Sequence, residues 1–481
     1  MDLKEQATSG LKWSAASQGT RQIVQLLTTL VLARLLEPSD FGLLGMAMVV
    51  IGFAILFRDL GTSAAVIQRK DLTEEMLSSV FWINLSFGFC VTLIIYFTAP
   101  LVASFYKEVR LTPILQLLSL TFLFASLGIL QQSLLERDLA FGKLARIEAT
   151  SVLVGSAVGI SMAFLGFGVY SLVCQSLSSI VLNTALLWIL SKWRPRLVFR
   201  IKAVKEIWSY SVNLTAFSVL NYFARSADYL LVGRYLGADA LGYYTIAYRL
   251  MLYPLQSVSV LMGRVIFPVL SKLQDYEDRF QRAFLKTASS VALVMFPLML
   301  GVFALARPFV FTVFGDQWGP VVPLIMILAP ASMISSILMN AGSIYKAKGR
   351  TDWMFRWSIV GSTVRITAYI VGLRWGVIGV ASGYTIAIAL LAYPTLAIPF
   401  SLIRLKMTRL LKSISMPLLT GLVMFGAVKS LELLLGRQLG DLWTLTTGVA
   451  AGVAIYFVLN LLMNREQTIE VLGAFRPKPG A

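Results

Sequence analysis

The 481-residue chain has no histidine, only two cysteines and few charges: Asp, Glu, Lys and Arg make up 14% of it. Without histidine it lacks the commonest general base and the commonest metal ligand. Cys90 and Cys174 both lie inside apolar runs, where small packed side chains are expected rather than a disulfide or a thiolate metal site. No G-x-x-x-x-G-K-[ST] run occurs, so no Walker A loop for ATP is expected. The stretch from Met1 to Trp13 mixes both charge signs and does not read as a cleavable signal peptide. No cofactor and no metal are expected.

What fills the chain is apolar. Hydrophobic residues make up 57%, and the mean hydropathy is +0.76. A soluble domain is near half apolar and about a quarter charged. This excess cannot be hidden in a water-bathed core, so the chain is read as an integral membrane protein. The apolar runs are about 20 residues long, the span of a helix across ~30 Å of hydrocarbon, and they lack the dyad alternation of a membrane barrel. Fourteen segments are expected, near 13–35, 42–66, 80–103, 111–133, 147–165, 168–190, 208–232, 241–268, 287–306, 320–344, 357–373, 377–401, 413–431 and 442–463. Their connections are too short to hold a soluble domain.

The formal charge of +18 would suit nucleic acid, but its placement argues for membrane topology instead. With the N-terminus cytoplasmic, 28 of the 42 basic residues fall in inside connections and eight in outside ones. That alternation follows the positive-inside rule and puts both termini in the cytoplasm. The inside excess also suits anionic lipid heads.

The chain repeats itself. Arg34, Leu36, Gly42 and Ala47 recur as Arg234, Leu236, Gly242 and Ala247, an offset of 200. Trp13-Ser14 is echoed by Trp208-Ser209, and Gly168-Val169 by Gly376-Val377. Segments 1–6 and 7–12 thus read as two copies of one unit in the same orientation. The expected fold is all-α: about fourteen transmembrane helices, with two six-helix lobes related by a pseudo-two-fold along the membrane normal, a transporter pattern. Lobe one is 1–190, a basic cytoplasmic linker is 191–207, lobe two is 208–401, and 402–481 adds two helices and a tail.

Arg21, Arg58, Arg225, Arg249, Arg264 and Arg365 fall inside expected helices, joined by Asp59 and Asp228. A charge at the bilayer centre costs roughly 2.5–3.5 kcal/mol even on the lenient insertion scale. Six facing lipid would cost on the order of 15–20 kcal/mol, more than a typical folding margin. They are therefore expected to line a wet cavity or to pair internally. Gln18, Arg21, Gln22 and Gln25 share one stripe of segment 1. Asn213, Asn221, Arg225 and Asp228 share a similar stripe of segment 7. By the offset, Asn221 and Arg225 occupy the places of Arg21 and Gln25. Arg225 and Asp228, three residues apart, either neutralise each other or serve the cavity. A net positive lining suits an anionic passenger such as a phosphate, pyrophosphate or acidic sugar, and the amides suit sugar hydroxyls. Tyr222, Tyr229, Tyr243, Tyr244 and Tyr248 gather near segments 7 and 8, for sugar stacking or for ordinary packing. Pro254, Pro297, Pro330 and Pro394 lie within spans as potential kinks. Gly155–Gly159 and Gly448–Gly452 are GxxxG spacings suited to close packing within the chain.

The run Ala33-Arg-Leu-Leu-Glu-Pro-Ser-Asp-Phe-Gly42 and the run Asp59-Leu-Gly-Thr-Ser-Ala-Ala-Val-Ile-Gln-Arg-Lys-Asp71 resemble bacterial polysaccharide exporters of the colanic acid exporter type. Leu135–Phe141, Gly233–Tyr244 and Gly263–Pro268 are similar too. These exporters form the polysaccharide transporter branch of the multidrug/oligosaccharidyl-lipid/polysaccharide superfamily. The resemblance covers segments 1–12. It implies two lobes around a cavity open alternately to each side. It implies a polyprenyl-pyrophosphate-linked oligosaccharide as passenger, flipped at the inner membrane for capsule, exopolysaccharide or O-antigen assembly, with no covalent chemistry. Arg21 and Arg225 are the positions that would take the family's cationic cavity role. Expected partners are this passenger, membrane lipids, and downstream polymerase and export proteins, with no nucleic acid. Three alternatives stand beside it. One is a peptidoglycan-precursor flippase. A second is a drug/cation antiporter, disfavoured because no acid lies between Trp13 and Leu36. The third is a membrane polymerase or ligase, disfavoured by the short outside connections.

Overall fold

In hydrocarbon no water can satisfy a free N–H or C=O, so a spanning chain must close its hydrogen bonds within helices or a sealed barrel. The computed structural model follows the first route. It describes residues 3–58, 62–68, 72–198, 201–465 and 468–469, without side chains at 3–17, 64–65, 201–220, 253, 256–265, 267, 435 and 437–439. Among the described residues there are helices and connections but no strand.

The helices are α1 (Leu3–Leu35), α2 (Pro38–Ile55), α3 (Thr62–Gln68), α4 (Glu74–Tyr106), α5 (Leu111–Arg137), α6 (Phe141–Phe164) and α7 (Val169–Leu190). There follow α8 (Ile201–Lys272), α9 (Glu277–Ala304), α10 (Ala306–Val313), α11 (Val321–Leu338), α12 (Ala341–Ala347), α13 (Thr351–Gly372), α14 (Gly376–Ser401) and α15 (Met407–Met463). Both α8 and α15 are two helices joined at a glycine with non-helical angles, Gly237 (φ 87°) and Gly440 (φ 73°).

Ten stretches among the described residues are long and apolar enough to cross a membrane. One of them, Thr351–Ser401, holds two of the fourteen expected segments. The expected segments 13–35, 208–232 and 241–268 fall on α1 and α8, whose side chains are described only in part.

The chain forms two compact units, Met1–Gly242 and Tyr243–Ala481. In the first, α4 packs on α5, α6 on α7, and α1 on α6. Val66, Phe81 and Leu130 join a core sealed by Trp188 and Trp193. Two indole N–H groups then fasten helix to helix and helix to connection: Trp188 donates to the Leu127 carbonyl and Trp82 to the Arg196 carbonyl, each at 2.8 Å. In the second unit, α15 packs on α9, α13 on α14, and α11 on both α9 and α14. Phe280, Phe284 and Phe400 centre its core, and Gln281 donates to the Ile403 carbonyl at 2.7 Å.

The GxxxG glycines serve close packing. A methyl on Gly155 would sit 2.8 Å from the Gln175 carbonyl oxygen, and one on Gly448 2.7 Å from Leu305. The prolines at 254, 297, 330 and 394 all lie inside helices. Both cysteines are free, and Cys90 lies on the exposed face of α4 rather than in the core expected for it.

Phe284 is fully buried with its ring edge-on to Phe400, centroids 5.5 Å apart. Phe284→Ala should cost about 3–5 kcal/mol and lower the unfolding midpoint of the detergent-purified protein. Leu434→Ala, on an exposed face, should change stability by no more than about 0.5 kcal/mol.

Candidate functional site

Gln18, Arg21 and Gln22 are half-buried on α1, and Gln25 one turn on is exposed. On α8, Asn221 and Arg225 are exposed while Asp228 is fully buried. Arg249 and Arg365 are half-buried. The side chains of Asn213 and Arg264, and the whole of Asp59, lie outside the described residues.

Arg58 differs from its expected place. The segment 42–66 does not run through as one helix; α2 ends at Ile55. The amides of Leu56, Phe57 and Arg58 each bond three residues back, the tighter pattern that closes a helix. Arg58 therefore sits beyond the helix end.

Of the two readings of Arg225 and Asp228, the ion pair is not among those that join described residues. The buried Asp228 carboxylate accepts the Tyr229 amide at 2.9 Å. The ion pairs among the described residues join Arg110 to Glu108, Arg350 to Asp352 and Lys429 to Glu432. None of Arg21, Arg58, Arg225, Arg249 or Arg365 is joined to a carboxylate among the described residues. Arg365 donates to the Ser362 hydroxyl at 3.2 Å. Cations held this way keep donors for an anion.

The repeat has a physical counterpart. A methyl on Gly42 would run into the Ala238 carbonyl oxygen, and one on Gly242 would run into that of Pro38. Residue 238 is the repeat mate of 38, and 242 that of 42. The two corners therefore clasp each other reciprocally, each glycine Cα against the other copy's carbonyl, the geometry of a weak Cα–H···O bond. Turns away along the same two helices, Tyr222 of α8 donates to the Val49 carbonyl of α2 at 2.7 Å, and Phe223 lies 5.0 Å from Phe53.

Asp40 accepts its own helix's Glu37 amide at 3.2 Å, completing a capping box with Pro38 at the start of the helix. Arg110 sits in the field of Asp40 and Asp239, one from each corner, and its hydrogen bond to Glu108 holds that carboxyl below its usual range. Gly168 and Gly376, the second echo, both carry positive φ (53° and 67°) at the start of α7 and α14, a conformation that favours glycine. Arg234, the repeat mate of Arg34, lies with its guanidinium 5.4 Å from the Phe105 ring.

The tyrosines divide. Tyr222 is a packing residue, and Tyr243 meets Trp318 edge-on. Tyr244 stacks on Tyr248, which in turn meets Tyr384 of α14, itself stacked on Tyr369 of α13. Tyr369 and Tyr384 escape sequence reasoning because more than a hundred residues separate them from Tyr248, and no local pattern marks them.

Residues 31–323 match the family model described as "Polysaccharide biosynthesis protein". The chain belongs to that family. It is 29% identical to the teichuronic acid biosynthesis protein TuaB of Bacillus subtilis (strain 168), over 95% of each chain. It is also 29% identical to the lipopolysaccharide biosynthesis protein WzxC of Escherichia coli (strain K12), covering 80% of this chain and 79% of that one. Among solved structures, the lipid II flippase MurJ in an inward closed conformation shares the fold. The TM-score is 0.76 at 17% identity, over 95% of this chain and 99% of that one. This family member is thus a multi-pass membrane protein with a flippase-like fold.

The clasp leaves no room for a β-carbon. Gly42→Ala and Gly242→Ala should each destabilise by about 1–3 kcal/mol through overpacking against backbone. Gly426→Ala, with no atom within 4 Å, should be neutral or stabilising by up to about 1 kcal/mol. Unfolding midpoints of the three purified variants check this.

Proposed function

We propose that this protein flips a polyprenyl-pyrophosphate-linked oligosaccharide from the cytoplasmic to the outer leaflet of the bacterial inner membrane. The observation that carries the reading is a set of intramembrane guanidiniums joined to no carboxylate among the described residues, in a chain of the polysaccharide biosynthesis family. Arg21, Arg225, Arg249 and Arg365 give the pyrophosphate charge-assisted donors in a low-dielectric interior. Gln18, Gln25 and Asn221 address sugar hydroxyls, and Asp228 is a further polar candidate on the helix that carries Arg225. Arg58 and Arg264 are further cationic candidates for the same role. The polyprenyl tail stays in lipid. No covalent bond is made or broken, so the protein is a transporter and not an enzyme.

The motion is alternating access of lobes 1–190 and 208–401, joined by 191–207, with 402–481 appended and both termini cytoplasmic. In that orientation the corners holding Gly42 and Gly242 lie on the outer side. Their clasp is the part that separates when the outer side opens, and Cα–H···O bonds of about 0.5–1 kcal/mol each are weak enough to break and remake. Surface polymerase and export proteins take up the flipped unit.

A lipid II-type passenger is the second reading, supported by the flippase fold of a relative named for that substrate. A drug/cation antiporter is disfavoured by the sign of the interior charges.

Deletion of the gene, with complementation at matched protein levels, tests the proposal. Surface polysaccharide should fall and lipid-linked oligosaccharide should accumulate in the inner membrane. Wild type should restore both pools and Arg21→Glu should restore neither, with Arg21→Ala intermediate. Unchanged pools in the deletion strain would refute the passenger; full rescue by Arg21→Glu would remove Arg21 from the cavity.

A further inference from the structure

A groove of about 680 Å³ runs along the seam between α13 and α14, as large as a typical small-molecule site. Its floor is backbone. A methyl on Gly372 would run into the Gly379 carbonyl oxygen, and one on Gly379 into that of Gly372. One turn on, a methyl on Gly383 would sit 2.6 Å from the Ala368 carbonyl oxygen. The two helices touch through main chain there, so no side chain fills the space above the seam. The walls are apolar: Val364, Val371 and Trp375 on one side, Ile378 and Ile386 on the other. The Thr363 hydroxyl at the inner end is turned back to the Ile359 carbonyl at 3.0 Å.

The groove opens away from the core. Val371, Trp375, Ile378 and Ile386 are 47–68% exposed. Ile386 shares the outer stripe of α14 with the exposed Leu390 and Tyr393, whereas Val380, Ala381, Ala387 and Ile388 on the other side are buried. The stretch Thr351–Ser401 that forms both helices is long and apolar enough to cross a membrane. Its exposed face therefore meets hydrocarbon, and a recess in that face with no free hydrogen-bonding wall takes a hydrocarbon chain rather than a polar solute.

Length and charge narrow the occupant. From Thr363 to Trp375 the chain rises by roughly 18 Å, close to the ~15 Å of hydrocarbon in one leaflet. At the outer end of the groove stands Trp375, an indole placed as interfacial indoles are. Beside it is Arg374, exposed and joined to no carboxylate among the described residues. A leaflet-long apolar recess that ends at a guanidinium matches a molecule with one leaflet-long chain below a phosphate. We propose that the groove between α13 and α14 is a binding site for an anionic phospholipid, one acyl chain lying along Gly372, Gly379 and Gly383 and the phosphate on Arg374. A zwitterionic lipid carries its own ammonium to compete for that phosphate, so the guanidinium favours the anionic one. A polyprenyl tail is longer than one leaflet and overruns the groove. The site is separate from the interior arginines and does not depend on what the protein carries.

The test labels the purified full chain in phosphatidylcholine nanodiscs with phosphatidylglycerol that carries a diazirine on one acyl chain, and maps the adducts by mass spectrometry. Adducts should concentrate on the groove walls of α13 and α14. Unlabelled phosphatidylglycerol should suppress them at about three- to tenfold lower concentration than added phosphatidylcholine. Thr367→Phe, which puts a ring into the groove from its exposed rim, should lower the groove adducts about tenfold. Arg374→Gln should bring the two competitors level, and it carries the test if Thr367→Phe does not fold. Leu390→Phe, on the exposed stripe beyond the groove, should label as wild type does. Adducts spread evenly over the groove, Leu390 and Tyr393 would mean ordinary boundary lipid and overturn the site. Wild-type labelling in Thr367→Phe overturns it as well, and so does a wild-type preference for phosphatidylglycerol that persists in Arg374→Gln. Suppression by polyprenyl phosphate at lower concentration than by phosphatidylglycerol would give the groove to the passenger's tail and end the phospholipid assignment.

Discussion

A guanidinium in hydrocarbon must have water, an anion or a carboxylate beside it, and this constraint orders the rest of the molecule. Among the described residues, Arg21, Arg58, Arg225, Arg249 and Arg365 are joined to no carboxylate, and the ion pairs lie elsewhere along the chain. In the proposed function the helices that carry these arginines keep one face away from lipid. In the proposed reading, a polar interior of one sign selects passengers of the other.

Packing answers a second demand. Apolar helices in lipid gain little from burying apolar surface against each other, so closeness itself must supply the attraction. The small residues at Gly42, Gly155, Gly242 and Gly448 bring a helix up against a neighbouring carbonyl or side chain. Indole and amide donors such as Trp188 and Gln281 then fasten elements together by bonds that lipid cannot replace.

Much of this is legible in the residues, for identifiable reasons. Hydrophobic run length is a direct readout of bilayer thickness, so the helices lie near their expected positions. The offset of 200 anticipates a structural pairing, realised where residue 42 meets 238 and residue 242 meets 38. Hydropathy alone misplaces Arg58, because it does not register a helix that closes through three-residue bonds. The spacing of Arg225 and Asp228 allows a pair that is not among the ion pairs joining described residues, since side-chain direction depends on what surrounds the helix. The run of ring contacts from Tyr244 through Tyr248 and Tyr384 to Tyr369 is illegible: the four rings come from three helices, and only tertiary packing assembles them. Cys90 reads as a core residue because apolar surroundings in sequence do not distinguish protein interior from lipid.

The reciprocal glycine clasp has an implication for how such a chain can change over generations. After an ancestral duplication, two copies of a gene segment are ordinarily free to drift apart, each keeping only its own local requirements. Here each copy's glycine is measured against the other copy's backbone. A side chain gained at 42 displaces the carbonyl of 238, and the helix that begins there also carries Gly242 against Pro38. Divergence at this corner is consequently a joint event, and the two halves keep a small shared vocabulary around it while the rest of their text separates.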